Sequence, residues 1–269
     1  MLLEHPEISI DAKAWAISLL PEVGVINLGF ERRIDSAKTD FGFVAKATAT
    51  RLVEPHSIHG EKTFIVSHEY DFDASSAKPH IFLHFVDLTD AFSACPQGEY
   101  LRSVDGYGFE IFDNDLLRDL IFSLPQGSRS GFLGVVTRDV VEFRLQFSIY
   151  VSEVLEFFRK HNVEFHENLV LALDDLQSLD IDRLNLQVAI AKGSVVGADL
   201  EFGITSWEDD PPVRWMKWLG RHIDPTVASE IKRQSNSWWG ADADVARWTH
   251  FKVNAQLNRV KNYLWLEPQ

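Results

Sequence analysis

The stretch THFKVNAQLNRVKNYLWL, residues 249–266, decides the fold class because it contains two alternating segments around a short turn. Apolar and polar residues alternate along residues 249–257 and, with Asn262 as an exception, along 260–266, which is the period of a strand whose two faces differ. Asn258 and Arg259 separate the two segments by a turn-sized gap. The stretch therefore predicts an antiparallel β-hairpin.

The same pattern recurs upstream, interrupted by helical spacing. Further strands are predicted at residues 41–52, 62–72, 80–86, 131–137, 140–147, 184–192 and 195–204. Helices are predicted at residues 10–20, 113–124, 151–161, 166–176 and 213–235. Parallel strands would alternate singly with helices, whereas here pairs of strands do. We therefore predict an α+β fold of antiparallel hairpins alternating with helices, closed or partly closed into a barrel that helices surround.

Composition predicts one folded domain over residues 1–269. The chain is 45% hydrophobic, which suffices for a sizeable core, and no long linker or low-complexity tract divides it. The start of the chain carries acids where a signal peptide would carry bases, and the single Cys95 gives no disulfide framework. We expect a cytoplasmic protein.

The charge of the chain limits its partners. With 40 acidic and 26 basic residues the formal net charge is -14, whereas nucleic-acid affinity comes largely from lysine and arginine on phosphates. We therefore expect no nucleic-acid partner. No apolar run is long enough to span a bilayer, so we expect no membrane partner either.

The polar faces of the predicted strands have two interpretations. In an open sheet covered by helices on one side, they would face water. In a closed barrel ringed by helices, they would face a lumen instead. The second case would bring four cations into that lumen: Lys46, Arg144, Lys252 and Lys261. Buried cations are costly unless anions pair with them, so a lumen would predict an anion site.

Three segments resemble the ABBA prenyltransferases, whose αββα repeats form an antiparallel barrel. VKNYLWL at 260–266 is similar to their basic-x-Tyr closing strand, and HFKVN at 250–254 resembles the lysine-bearing strand before it. LDIDRLNLQVAIAKGSVVGADLEFGI at 179–204 resembles a central hairpin of the cyanobactin-type peptide prenyltransferases. The resemblance lies mainly in the C-terminal half and leaves the N-terminal third unexplained.

The resemblance implies transfer of an isoprenoid from its diphosphate to a peptide or small aromatic acceptor in specialised metabolism. Lys252 and Lys261 would bind the diphosphate, and Tyr263 would shield the allyl cation. Strand geometry adds Lys46 and Arg144 to the diphosphate site. Glu142 or Glu69 is expected to act as the base. Tyr70 and Trp265 are expected to act as further shields.

No tightly bound cofactor is expected, and Mg²⁺ is left open. The family lacks the Asp-rich box of membrane prenyl enzymes and terpene synthases. Here Asp174-Asp175 and Asp209-Asp210 lack the further acid at helical spacing that would bridge magnesium.

Two other functions compete with the enzyme. One is a non-catalytic peptide-binding or accessory protein of a modified-peptide pathway, in which the cations would face bulk water. The other is a metal-dependent oxygenase, which would need an acid beside two of His80, His84 and His250. The direction in which Arg144, Lys252 and Lys261 point discriminates between the enzyme and the accessory protein.

Overall fold

The computed structural model describes Ala14 and residues 25–33, 39–46, 57–58, 61–62, 65–70, 80–84, 114–137, 141–204, 211–239 and 247–266. Its strands are β1 (Val25–Arg33), β2 (Thr39–Lys46), β3 (Ser57–Ile58), β4 (Glu61–Lys62), β5 (Ile65–Tyr70), β6 (His80–His84), β7 (Arg129–Thr137), β8 (Val141–Tyr150), β9 (Arg183–Ala191), β10 (Ser194–Ile204), β11 (Arg247–Asn254) and β12 (Val260–Leu266). Its helices are α1 (Asn114–Phe122), α2 (Val154–Lys160) after a 3-10 turn (Val151–Glu153), α3 (Leu169–Ser178), α4 (Pro211–His222) and α5 (Pro225–Trp239).

Ten strands form one antiparallel ring in the order β1-β12-β11-β10-β9-β8-β7-β6-β5-β2. The ring closes because β1 bonds to a strand on each side: Leu28 lies opposite Phe43 of β2 and opposite Leu266 of β12. In the described part of the chain, the short strands β3 and β4 form a separate two-stranded sheet. The α+β class with antiparallel hairpins is confirmed.

The main apolar core lies between the strands and the helices. Phe147, Leu186 and Phe202 point outward from the ring and join one buried cluster with Leu120 and Phe158 of α1 and α2. Helix α4 is held against α3 because the indole Nε1 of Trp218 donates to the carbonyl of Ala172 at 2.7 Å. The helices therefore cover the outer face of the barrel. No helix within the described ranges is long and apolar enough to cross a membrane.

The alternate residues of the same strands face inward and are polar. Directly paired residues share a face of an antiparallel sheet. One inward row runs through Glu201, Lys252 and Lys261 on β10, β11 and β12. All three side chains are buried, so the polar faces line a lumen and do not face bulk water.

The predicted elements differ from the observed ones at β1 and in the predicted helix at 213–235. The strand β1 was not predicted, although it closes the ring. The predicted helix at 213–235 is two helices, because Pro225 lacks the amide hydrogen needed to continue α4, and Asp224 caps α5 through the amide of Thr226 at 2.6 Å. The predicted helix at 10–20 lies outside the described residues except for Ala14, which is helical.

Candidate active site

The centre of the site is a pair of lysines on neighbouring strands. Lys252 of β11 lies directly opposite Lys261 of β12. The ammonium of Lys261 is 2.6 Å from Oε1 of Glu31, and that of Lys252 is 3.1 Å from Oε2 of Glu201. Each of these cations therefore has a buried carboxylate partner supplied by the chain.

The ionisation of the Glu31–Lys261 pair depends on its burial and on its neighbours. Burial acts to raise the pKa of Glu31, but attraction and hydrogen bonding from Lys261, with help from Tyr263 and Lys252, outweigh it and lower that pKa to about 2. Burial, reinforced by the positive charge of Arg144, lowers the pKa of Lys261 in spite of Glu31. Glu31 is thus an anion at any pH near neutrality.

Glu201 connects Lys252 to two further lumen residues. Its Oε1 accepts a hydrogen bond of 2.9 Å from Nε2 of Gln146, and its Oε2 lies 4.0 Å from Nε2 of His250. Burial alone would raise the pKa of Glu201, but Lys252 and His250 lower it. The Oε1 atom of Gln146 is buried and has no hydrogen-bond partner among the described residues, so it can accept from a bound molecule.

An aromatic pair lies beside Lys252. The rings of His250 and Tyr263 stack with centroids 4.3 Å apart and planes 10° apart. The ammonium of Lys252 lies 4.7 Å from the centre of the Tyr263 ring. Burial lowers the pKa of His250 to about 4 and raises that of Tyr263 well above its ordinary value, so both rings are neutral at pH 7. A neutral electron-rich face beside a cation can also stabilise a carbocation.

Arg144 brings a third cation to the same lumen from β8. Its Nε donates to Glu142 at 2.6 Å, and its Nη1 donates to Gln187 at 3.4 Å. Burial would lower the pKa of Arg144, but Glu142 and Asp199 raise it, so the guanidinium is permanently charged. Gln187 lies opposite Gln146, which donates to Glu201, the partner of Lys252, so a chain of polar contacts connects Arg144 to the lysine pair.

Glu69 is a lumen carboxylate for which the described residues provide no ion-pair partner. It lies on β5 opposite Gly42 and His80, and it is partly exposed. Among the described residues, no hydrogen bond or ion pair reaches its carboxylate. Burial and the negative charge of Glu31 raise the pKa of Glu69 despite Lys252, His80 and Lys261 nearby. A carboxylate in this state is suited to accept a proton.

Several expectations need correction or lie outside the described residues. Tyr70 cannot line the lumen, because it pairs with Phe41 on the outer face and alternates with the inward Glu69. Arg144, Lys252 and Lys261 do not require an external anion, because Glu142, Glu201 and Glu31 already pair with them. The predictions for Lys46 and Trp265 concern side chains outside the described part of the structure.

The carboxylates that complete the site were not predicted. Glu31 lies on β1, a strand that Gly29 and Arg32 obscure in the sequence pattern. Asp199 and Glu201 are two residues apart on β10 and therefore share its inward face. This spacing was the sequence signal that could have identified Glu201. Gln146 and Gln187 lie opposite each other on β8 and β9, where single-strand patterns cannot show pairing.

The metal-site prediction depends in part on residues outside the description. In the described part of the chain, no three His, Cys, Asp or Glu side chains are grouped to hold a metal ion. His80 and His250 are both buried, and the side chain of His84 is not described. The oxygenase hypothesis therefore gains no support from these residues.

The fold is similar to that of ABBA-type aromatic prenyltransferases. The 5-dimethylallyltryptophan synthase of Streptomyces coelicolor matches at a TM-score of 0.51 and 10% identity, over 99% of this chain and 85% of that one. AnaPT of Neosartorya fischeri matches at a TM-score of 0.54 and 10% identity, over 90% of this chain and 78% of that one. NotF, solved with brevianamide F and DMSPP, matches at a TM-score of 0.55 and 10% identity, over 98% of this chain and 90% of that one.

These comparisons confirm the resemblance at the level of the fold. No protein-family model matches the sequence, and no curated protein matches it significantly. The closer likeness to cyanobactin-type members, drawn from residues 179–204, stays a prediction.

Proposed function

We propose that this chain transfers an isoprenoid from its diphosphate to an aromatic acceptor bound in the barrel lumen. The observation that carries the proposal is the position of Arg144, Lys252 and Lys261 on the inside of the ring. They lie in one lumen with a neutral aromatic pair and with Glu69, whose carboxylate has no ion pair within the described ranges. The inward direction of these cations favours an enzyme over an accessory protein with an open sheet.

The cations would stabilise the departing diphosphate. The bond between the isoprenoid C1 and the diphosphate oxygen breaks, and its electron pair leaves with the diphosphate. An ammonium has three donors, and the described carboxylate contacts of Lys252 and Lys261 use one on each. Charge-assisted donors in a water-poor lumen stabilise such a leaving group far better than they would in water.

The aromatic pair would protect the allyl cation that remains. The Tyr263 face is held by stacking on His250, and both rings stay uncharged at neutral pH because they are buried. A neutral aromatic face attracts a cation without donating a nucleophilic anion. Tyr263 therefore keeps its expected role as a shield, with His250 as its support.

Glu69 would accept the proton that the acceptor loses. The acceptor attacks C1, a new bond forms to the isoprenoid, and the displaced proton passes to the carboxylate. Glu69 is favoured over Glu142, because Glu142 is held by Arg144 at 2.6 Å whereas no described ion pair engages Glu69. Its raised pKa also brings it closer to the working range of a general base.

The acceptor class proposed is a small aromatic molecule or the aromatic side chain of a peptide, modified in the cytoplasm. The similar folds support the aromatic part: a related synthase structure contains DMASPP and tryptophan, and NotF contains brevianamide F. The peptide part depends only on the resemblance of residues 179–204.

The proposal is tested by product formation. The chain is incubated with dimethylallyl, geranyl or farnesyl diphosphate and with tryptophan, tyrosine or peptides containing them, with and without Mg²⁺, and products are identified by mass spectrometry. Arg144→Met should reduce transfer on the order of a hundred-fold, because it removes one leaving-group donor.

The matched control is Arg233→Met on α5, where Arg233 pairs with Glu230 at 2.7 Å on the surface. It should transfer at the wild-type rate. Donor binding without any transfer across the acceptor series would instead favour a non-catalytic binding protein.

A further inference from the structure

The carboxylates that contact the two lysines leave N–H donors free, but they place negative charge where a diphosphate would bind. Glu31 and Glu201 lie within 3.1 Å of the ammonium groups, and all four side chains are almost fully buried. An arriving anion would therefore meet two negative charges at the same cations. Like charges repel strongly in a medium of low dielectric constant. In the free protein, carboxylates of the chain already occupy the anion positions.

We propose that Glu31 and Glu201 are exchangeable counter-anions, which hold Lys261 and Lys252 in the free protein and are displaced when the diphosphate binds. This inference rests on the proposed function. Ammonium groups can exchange one anion for another because they impose no fixed fork geometry. The glutamate side chains can turn by rotation about their own bonds, while the strand pairing of β1, β10, β11 and β12 is retained.

Displacement changes the balance of charges around Glu31. The titratable groups that face it come from four strands: Lys261 and Tyr263 on β12, Lys252 and His250 on β11, Asp40 on β2 and Glu69 on β5. Once the diphosphate shares Lys261, burial and the acidic neighbours dominate, and the carboxyl group gains a proton. Glu201 faces Lys252, His250 and Gln146 and changes in the same sense. Diphosphate binding should then be coupled to proton uptake.

The test is titration calorimetry of inorganic pyrophosphate into the full chain at pH 7, in buffers that differ in their heat of ionisation. Wild type is compared with Glu31→Gln and Glu201→Gln. Each variant should bind pyrophosphate about ten-fold more tightly, because no carboxylate competes for its lysine. Each should also take up fewer protons per bound pyrophosphate than wild type. Comparing proteins cancels the protons that the ligand itself exchanges.

Glu69→Gln is the matched control for charge. It removes one carboxylate from the same lumen without breaking a described ion pair, so it should tighten binding much less than the other two variants. Glu201→Gln keeps the test decisive if Glu31→Gln fails to fold, as judged by circular dichroism.

The outcomes separate this inference from the proposed function. Equal affinities for Glu31→Gln, Glu201→Gln and Glu69→Gln, or equal proton uptake in all proteins, would overturn the exchange while a transferring wild type upholds the enzyme. Pyrophosphate binding by Glu31→Gln, with no measurable binding by wild type, supports the exchange. A chain that binds neither pyrophosphate nor any isoprenoid diphosphate in wild-type or variant form loses both proposals.

Discussion

The contact between Glu31 and Lys261 is a residue-scale feature with a measurable effect on stability. Both side chains are nearly inaccessible to water, and their charged atoms are 2.6 Å apart. Breaking such a pair from one side is more damaging than removing both partners, because it leaves one charge buried without compensation.

Lys261→Met should therefore lower the free energy of unfolding by about 3–5 kcal/mol, since Glu31 is left unpaired. The double variant Lys261→Met, Glu31→Leu should recover most of that loss. Urea denaturation at pH 7 measures both. Equal instability of the single and double variants would show that the lysine stem, and not the ion pair, supports the lumen.

Glu31 also predicts a loss of stability in acid. Its pKa is about 2 in the folded chain against an ordinary 4.5, so its contribution is present above pH 4.5 and is lost as the pH falls from 4.5 to 2. The shift corresponds to about 3 kcal/mol. Urea unfolding across this range should show the loss in wild type and a flatter curve for Glu31→Gln. A parallel pair of curves would contradict the assignment.

His250 predicts a separate loss at higher pH. Burial holds its pKa at about 4 against an ordinary 6.5, so the unfolded chain binds the proton more readily than the folded one. Stability is then full above pH 6.5 and is lost as the pH falls from 6.5 to 4, by about 3 kcal/mol. His250→Gln should remove the dependence in that range. Unfolding curves at pH 7 and pH 5 suffice for the comparison.

The sequence predicted the cations of the site better than the anions. Alternation along single strands was enough to place Arg144, Lys252 and Lys261 on polar faces. The carboxylates that neutralise Lys252 and Lys261 come from β10 and β1, and their proximity depends on pairing between strands. Strand pairing of this kind is a long-range property that no local pattern contains.

At the scale of elements, β6 and β7 pack closely because β7 has a glycine, without a side chain, opposite a phenylalanine of β6. Phe82 lies opposite Gly134, and a Cβ at position 134 would be 2.1 Å from the Phe82 ring. That ring is almost fully buried in the lumen, where it occupies the space beside the neighbouring strand. Gly134 is thus required for the position of the ring.

Gly134→Ala should destabilise the chain by about 1–3 kcal/mol, because overpacking forces the ring or the strand to shift. Adding Phe82→Leu should restore part of the loss by removing the clash. Thermal unfolding of the single and double variants measures the coupling. Additive losses would show that the two strands adjust independently.

The elements themselves were predictable where periodicity was regular. Strand β12 has the predicted bounds, and α1 and β9 differ from prediction by one or two residues at each end. Errors arose where a single residue overrides the pattern: Pro225 divides the predicted helix at 213–235, and Gly29 and Arg32 interrupt the alternation of β1.

For the whole molecule, the ring connects most of the described secondary structure into one hydrogen-bonded system. The single-domain prediction for residues 1–269 has not been tested. If it is right, urea unfolding followed by tryptophan fluorescence and by circular dichroism should give one coincident transition. Two separated transitions would divide the chain into independently stable parts.

The closing contact of the barrel has a consequence for synthesis on the ribosome. Leu28 of β1 pairs with Leu266 of β12, so the first described strand can complete its pairing only after the last one has been synthesised. At about 5–20 residues per second, tens of seconds pass between their translation. During that interval the bonding edge of β1 that will receive β12 is unfilled, and such an edge can recruit a strand from another chain. Slow elongation or crowded expression should therefore increase aggregation of nascent chains, with chaperone demand greatest just before the final hairpin is made.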